Sequence, residues 1–130
     1  MSNNFEDIKI VAFDDHATYR SDPNSALMHV VLTLSASAPC EWSDYFNQRW
    51  KSHFYMKKRN ASVSGKHLEI YCVPDELQED HIPELNKVIA ETNQAYRQYL
   101  VRAKDEADAQ AERNAAEKVK LAEVKNNLKF

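Results

Sequence analysis

The stretch CEWSDYFNQRWKSHF, residues 40–54, decides the fold because it places an aromatic residue at every fourth position. At this spacing Trp42, Phe46, Trp50 and Phe54 fall on one face of an α-helix. An aromatic face this continuous is typical of a helix that packs against a sheet, and we expect that arrangement here. Stacking of a ligand on the rings is the alternative interpretation.

Segments with strand character lie on both sides of this helix. Residues 8–13 form a short apolar run that suits a strand covered on most sides, and residues 27–35 alternate as strand residues do. Residues 57–64 and 66–73 predict a hairpin whose turn is made by Gly65, the only glycine of the chain. These patterns predict four strands.

Two helices are predicted. Pro39 stands where the first would begin, with Ser37 or Ser43 available to cap it. The second begins at Ile82 and continues almost to the end of the chain. Apolar residues recur there at i, i+3, i+4 and i+7, and residues 104–118 have high helix propensity although they lack large apolar side chains. The apolar stripe consists of Leu85, Val88, Ile89, Thr92, Tyr96, Tyr99, Leu100 and Ala103.

The predicted fold is therefore α+β, in the order β-β-α-β-β-α: a four-stranded antiparallel sheet with helices on one face and a long projecting C-terminal helix. A helix of about 45 residues is about 68 Å long, whereas a domain of about 100 residues has a radius of gyration of about 13 Å. We therefore expect a compact domain over residues 1–103. A charged, Ala-rich helical extension over residues 104–130 would project or pack on another chain.

The composition of the 130 residues excludes several classes of function. A single glycine leaves no room for a Gly-rich dinucleotide turn or a Walker loop, and no cofactor is expected. The N-terminal sequence MSNNFEDIKI lacks a secretory signal, and no apolar run reaches about 18 residues, the length of a membrane span. Cys40 and Cys72, the only cysteines, favour buried free thiols. We expect a cytoplasmic protein without membrane contact or an evident small-molecule substrate.

Charge is segregated along the chain although the net charge is only −3. Residues 45–68 hold six Lys and Arg and no acidic residue, whereas residues 69–100 hold seven acidic and two basic residues. A basic segment beside aromatic residues could neutralise phosphates and stack bases, so contact with nucleic acid or an acidic partner is one interpretation. A solvated edge strand that resists aggregation is the other. The contact residues would be Arg49, Lys57, Lys58, Arg59, Lys66 and His67.

Candidate catalytic and metal-binding groups are few. Asp14, Asp15 and His16 follow the first strand, but consecutive strand residues point to opposite faces, which favours a polar loop over a metal site. The acidic residues between Asp75 and Glu84 suit the start of a helix, whose dipole they complement. No linear nucleophile motif occurs. We therefore expect no catalytic, cofactor-binding or metal-binding residues.

The second face of the predicted sheet is apolar as well. His29 would lie there beside Tyr71 or Phe13, together with Val11 and Val31. An apolar sheet face must either be covered by the chain's own helix or be open to a partner. Both interpretations stay open at this point.

The C-terminal extension carries the features that suggest a function. Small residues at four-residue spacing let two helices approach closely. The final segment KVKLAEVKNNLKF, residues 118–130, is basic and amphipathic and could dock in a partner's groove, and a frayed, solvated tail is the other interpretation. We therefore predict a non-enzymatic protein-interaction module that uses this helix for self-association or for docking on a partner protein. A nucleic-acid-binding accessory protein is the alternative. The helix contacts would be Ala107, Ala111, Ala115, Leu121, Val124 and Leu128.

Overall fold

The computed structural model describes residues 5–129 and confirms the predicted α+β fold. Its strands are β1 (Ile10–Phe13), β2 (Met28–Leu34), β3 (Ala61–Ser64) and β4 (His67–Cys72), and its α-helices are α1 (Cys40–Ser52) and α2 (Ile82–Asn127). The four strands form one antiparallel sheet in the order β1-β2-β4-β3, so β1 and β3 are its edges. The second helix is the long C-terminal helix expected from the sequence.

The aromatic stripe of α1 packs inward, as its spacing predicts. Trp42, Phe46 and Trp50 are buried, and neighbouring rings stack nearly parallel with centroid separations of 5.9 Å and 6.0 Å. Burial of each ring stabilises the fold by about 2–3 kcal/mol. The prediction is wrong for Phe54, which is 80% exposed because α1 ends at Ser52 and the chain continues in an extended conformation.

Alternate residues of β2 and β4 supply the sheet's share of the core. Val30 pairs with Ile70 and Leu32 pairs with Leu68, and all four side chains are buried because directly paired residues share a face of the sheet. The predicted alternation of these two strands is confirmed. The start of α2 completes the core with Leu85, Val88, Ile89 and Thr92.

The first strand is less covered than its apolar sequence predicts. Val11 and Phe13 are each about half exposed, because β1 is an edge strand and its register with β2 shifts between Ile10 and Ala12. The expectation of a strand covered on most sides is therefore wrong. Apolar burial in this segment falls instead on Ile8, just before the strand begins.

The structure confirms the predicted turn at Gly65 but not the predicted side-chain cap of α1. Gly65 makes the β3–β4 turn with φ +60°, a conformation that other residues adopt at a cost. Neither Ser37 nor Ser43 caps α1, because Pro39 occupies the cap position and no side chain bonds to the first turn. Instead the backbone N–H of Ser43 donates to the Pro39 carbonyl at 2.9 Å.

Internal contacts divide the described chain into two units, Phe5–Tyr96 and residues 97–129. The first holds the sheet, α1 and the start of α2, and the second holds the remainder of α2. The boundary expected between residues 103 and 104 stays a prediction, and residues 1–4 and 130 lie outside the described residues. Over the described part of the chain, every helix is too short or too polar to cross a membrane.

Candidate functional site

The predicted basic segment meets the acidic residues that follow β4. Arg59 donates from Nε and Nη2 to the two carboxylate oxygens of Glu76, at 3.3 Å and 3.2 Å. Lys57 Nζ lies 3.3 Å from Asp80 Oδ2. Two segments of opposite charge, far apart in the sequence, therefore neutralise each other in the folded chain, and less cationic charge is left for a phosphate backbone.

A buried histidine extends this network into the protein. His81 is fully buried; its Nδ1 lies 2.7 Å from the Tyr55 hydroxyl oxygen and its Nε2 lies 3.2 Å from Glu76 Oε1. Burial raises the pKa of Tyr55 to about 12, so the phenol stays protonated and can donate to His81. The pKa of Glu76 is lowered mainly by the hydrogen bond from Arg59 and, to a smaller extent, by the hydrogen bond from His81. No local sequence pattern predicts this network, because it depends on a 3₁₀ turn over Pro74–Glu76 that positions Glu76 and a π-helical turn over Leu77–His81 that positions His81.

His53 and Arg49 border a shallow depression of about 390 Å³ next to this network. His53 Nε2 lies 2.7 Å from Glu84 Oε1, and this hydrogen bond is the main cause of the lowered pKa of Glu84. The buried Nε of Arg49 has no hydrogen-bond partner among the described residues. Because Glu91 also lines the depression, its walls offer both signs of charge and select neither anions nor cations.

The other predicted basic residues do not converge on one surface. Lys58 Nζ donates to the Lys51 carbonyl at 3.1 Å and lies 5.7 Å from the centre of the Trp50 ring. Lys66 and His67 lie at the tip of the β3–β4 hairpin, whereas the other residues precede its base. Four strand residues separate tip and base by about 13 Å.

The Asp14 loop is organised by its own hydrogen bonds. Asp14 Oδ1 accepts from the Ala17 N–H at 3.1 Å, and the Asp14 carbonyl accepts from the Thr18 hydroxyl at 2.8 Å. Asp14 Oδ2 also lies 3.9 Å from His67 Nε2. Within residues 5–129, no three His, Cys, Asp or Glu side chains are grouped so that they could hold a metal ion.

Both cysteines are free thiols, but only one is buried. Cys72 is fully buried, and burial raises its pKa to about 11, which makes it a poor nucleophile. Cys40 is exposed at the first residue of α1. The expectation that both thiols are buried is therefore wrong for Cys40.

His29 lies on the second face of the sheet beside Tyr71, as the strand alternation predicts, with ring centroids 4.5 Å apart. It also stacks on Tyr19, with centroids 4.6 Å apart. Its Nδ1 lies 3.0 Å from Glu69 Oε2, and its Nε2 lies 3.1 Å from Ser21 Oγ. Alternation along β4 places Glu69 and Tyr71 on this face, but no sequence signal identifies Ser21, which a loop brings to the histidine.

The C-terminal part of α2 presents an apolar stripe to solvent. Leu121, Val124 and Leu128 are 61%, 48% and 55% exposed. A helix turns about 100° per residue, so these three side chains lie within about 60° of one another. The helical hydrogen-bond pattern reaches Leu128, whose N–H donates to the Val124 carbonyl at 3.1 Å.

The alanine ladder winds around the helix relative to this stripe. By the same helical geometry Ala107 lies within about 40° of Leu121, Ala111 about 80° away and Ala115 about 120° away. The predicted contact residues therefore do not form one straight line. Ala107 shares the face of Leu121, whereas Ala115 lies toward a different side.

Charge within this part of the helix is segregated. Residues 104–117 hold five acidic and two basic residues, a net charge of −3, whereas residues 118–129 hold four basic and one acidic, a net charge of +3. Lys104 Nζ pairs with Asp108 at 3.2 Å within the first half. From residue 104 to residue 129 every residue is exposed except Ala109, which is partly buried.

Comparisons with protein-family models, with curated proteins and with solved structures find no match to this chain.

Proposed function

We propose that this protein is an interaction module that self-associates through residues 104–129. One observation carries the proposal: Leu121, Val124 and Leu128 are about half exposed or more and lie together on one side of the helix. Full burial of such a side chain is worth about 1.5–3 kcal/mol. Pairing of two helices along this stripe removes much of its apolar surface from water.

The charge pattern favours a second copy of the chain as the partner and an antiparallel pair as the arrangement. In an antiparallel pair the acidic residues 104–117 of one copy lie beside the basic residues 118–129 of the other, at both ends of the contact. A parallel pair sets like charges against each other twice. The antiparallel pair also brings the stripe toward the Ala107 region of the second copy, where small side chains permit close approach. Such a two-fold contact is closed and stops at a dimer.

Sedimentation equilibrium of the full chain under reducing conditions tests the proposal. Concentrations from about 10 to about 500 µM bracket association free energies of about −7 to −4.5 kcal/mol. We expect a monomer–dimer equilibrium in the wild type and its loss in the double variant Leu121→Gln/Leu128→Gln, which keeps charge and helix propensity. The matched control is Val119→Gln, because Val119 is 60% exposed but lies about 160° around the helix from Leu121. A strictly monomeric wild type, or equal weakening by the control, contradicts the proposal.

The salt dependence distinguishes the two helix orientations. Raising sodium chloride from about 0.05 M to about 0.5 M shortens the screening length from about 14 Å to about 4 Å. An antiparallel dimer should dissociate more readily in the higher salt, whereas a parallel dimer should strengthen because its repulsion is screened. A dimer that is tighter at high salt would refute the antiparallel arrangement.

Nucleic-acid binding is the second candidate, and the internal ion pairs give it less support. Lys57 and Arg59 are engaged with Asp80 and Glu76, and Lys66 lies at the far end of the hairpin. A gel-shift series at rising salt tests it. Binding that weakens with salt and is lost in Lys57→Glu/Lys58→Glu/Arg59→Glu would support this function over self-association alone.

We also propose a cytoplasmic location, because Cys40 and Cys72 are both free and Cys40 is exposed. Exposed free thiols persist where glutathione and thioredoxin keep them reduced. Alkylation of thiols in intact cells before lysis should find Cys40 modified by the alkylating reagent. Recovery of Cys40 mainly in an oxidised form would contradict this location.

A further inference from the structure

Three side chains on the second face of the sheet are linked in one hydrogen-bonded line. Ser21 Oγ lies 3.1 Å from His29 Nε2, and His29 Nδ1 lies 3.0 Å from Glu69 Oε2. With the His29 Nδ1–H donating to the carboxylate, Nε2 carries the lone pair that accepts the Ser21 hydroxyl proton. This is the relationship between nucleophile, base and orienting acid that defines a serine triad.

We propose that Ser21, His29 and Glu69 form a catalytic triad that hydrolyses small carboxylic esters. The proposal is independent of self-association through α2, and it departs from the expectation of a non-enzymatic protein, which stays a prediction. That expectation arose because no linear nucleophile motif occurs. A triad is recognised by geometry and not by sequence order, and these residues come from a loop, β2 and β4.

The histidine is held from several directions. Its ring stacks on Tyr19 with an interplanar angle of 14° and contacts Tyr71 on the adjacent strand. In the sheet Tyr71 is the direct partner of His29, which makes Glu69 its diagonal neighbour on the same face. Packing by two rings and one carboxylate fixes both the orientation and the tautomer of the imidazole.

The serine is held by the backbone. Tyr19 and His29 form an isolated pair of backbone hydrogen bonds, at 3.1 Å and 2.8 Å, so the loop is tied to β2 two residues before Ser21. A turn follows directly, since the N–H of Asn24 and that of Ser25 both bond to Asp22. Ser21 itself is exposed, and a nucleophile must be reachable by its substrate.

A depression of about 310 Å³ borders two members of the triad, His29 and Glu69, while Ser21 is not among its lining residues. The other lining residues are Tyr71, Asn60, Ala61 and Ser62. The size of the depression suits a short acyl group. The Asn60 amide and the Ser62 hydroxyl on its wall are hydrogen-bond donors for the polar part of a bound ester. Tyr71 supplies an apolar surface for the acyl chain.

The reaction balances with water as the only co-reactant. Ser21 Oγ forms a bond to the ester carbonyl carbon while its proton passes to His29 Nε2. Collapse of the tetrahedral intermediate breaks the bond to the alcohol oxygen, which takes that proton and leaves. Water then adds to the acyl-serine, giving its proton to His29, and the serine leaves with the proton back on its oxygen. The products are the alcohol and the carboxylic acid.

Hydrolysis of p-nitrophenyl acetate by the full chain tests the triad. We expect kcat/KM to fall at least tenfold in Ser21→Ala, in His29→Gln and in Glu69→Gln, and the Ser21→Ala/His29→Gln double variant to fall little further, because members of a triad act as a unit. Ser64→Ala and His16→Gln are matched controls: Ser64 lies at the hairpin tip and His16 in the exposed Asp14 loop. Both should keep the wild-type rate.

Covalent labelling separates a nucleophilic serine from esterolysis by surface groups. A fluorophosphonate probe should label the wild type at Ser21, identified by peptide mass, and should fail to label Ser21→Ala. Ser21 is exposed, so this variant should keep the wild-type circular dichroism spectrum. Labelling at another residue, or an unchanged rate in Ser21→Ala, would overturn the proposal.

Discussion

Arg59 and Glu76 form an ion pair with two parallel hydrogen bonds, in which Nε and Nη2 each reach one carboxylate oxygen. Both side chains are partly shielded from solvent, and Glu76 accepts a further hydrogen bond from the buried His81. Paired hydrogen bonds between a guanidinium and a carboxylate are stronger than a single ionic contact on an exposed surface. The pair therefore joins the segment before β3 to the turn after β4 and contributes to stability.

Glu76→Gln should lower the free energy of unfolding by about 1–3 kcal/mol near neutral pH, since it removes the negative charge and one of the two acceptor oxygens that bind Arg59. The pKa of Glu76 is lowered in the folded chain, so its contribution is present above the ordinary carboxyl pKa of 4.5 and is lost as the pH falls through the lower folded value. The difference between wild type and variant should therefore shrink in acid. Urea unfolding followed by tryptophan fluorescence at several pH values measures it.

The control for this prediction is Glu79→Gln. Glu79 is exposed in the π-helical turn that directly follows Glu76, and it has no ion pair within the described residues. Its substitution should change stability by less than about 0.5 kcal/mol. Equal losses in the two variants would mean that general charge near this turn matters, and not the bonds to Arg59 and His81.

Tyr55→Phe should reduce stability by about 1 kcal/mol at neutral pH, because it removes the hydrogen bond from the phenol to His81 Nδ1. Burial raises the pKa of Tyr55 to about 12, so the folded state favours the neutral phenol. Its contribution is full below the ordinary value of 10.0 and is lost as the pH rises from there toward about 12.

The measurement is urea unfolding at about pH 8 and at about pH 11. Between these two pH values the free energy of unfolding should fall less in Tyr55→Phe than in the wild type. Tyr19→Phe is the matched control, since Tyr19 is about half exposed, and it should follow the wild type. If Tyr55→Phe and the wild type lose stability in parallel, the phenol does not titrate as described.

The strands and helices were predicted well from local sequence patterns, because secondary structure depends mainly on residues that are close together in the chain. The burial of Val30, Leu32 and Leu34 follows from a period of two, and the Gly65 turn follows from its need for positive φ. Errors occurred where tertiary structure decides burial. Apolar β1 residues such as Val11 are exposed because of the strand's position at the sheet edge, which composition does not show.

The candidate sites were harder to predict, because their members are distant in the sequence. Arg59 and Glu76 belong to segments whose charges looked independent, and they meet through the hairpin and the turn that follows it. The Ser21 contact to His29 depends on the conformation of a loop. Strand alternation could predict the face of His29, but no periodicity exists that could predict its loop partner.

The aromatic stripe gives a direct test of where α1 ends. Phe46→Ala should lower the free energy of unfolding by about 3–5 kcal/mol, since Phe46 is fully buried between Trp42 and Trp50. Phe54→Ala should change it by less than about 0.5 kcal/mol, because Phe54 is mostly exposed. Chemical denaturation of both variants measures the difference. A large loss at Phe54 would mean that its ring is buried.

Asn93 forms hydrogen bonds with three buried groups, two on the backbone of Ile8 and one on the side chain of Trp42. Its Oδ1 accepts from the Ile8 N–H at 3.0 Å and from Trp42 Nε1 at 2.9 Å, and its Nδ2 donates to the Ile8 carbonyl at 2.9 Å. Asn93→Ala leaves these groups buried without their partner, and each such group costs about 1–3 kcal/mol. We therefore expect a loss of about 3 kcal/mol or more in urea unfolding.

A double-mutant cycle tests whether this loss comes from the hydrogen bonds or from the smaller side chain. Trp42→Phe should cost less in the Asn93→Ala background than in the wild type, because the indole N–H has already lost its acceptor there. Gln94→Ala, at the exposed next position of α2, should have little effect. Strict additivity of Trp42→Phe and Asn93→Ala would show that the two side chains are not coupled. A coupling of about 1 kcal/mol or more would establish that Asn93 joins the N-terminal segment to α1 and α2 through one amide.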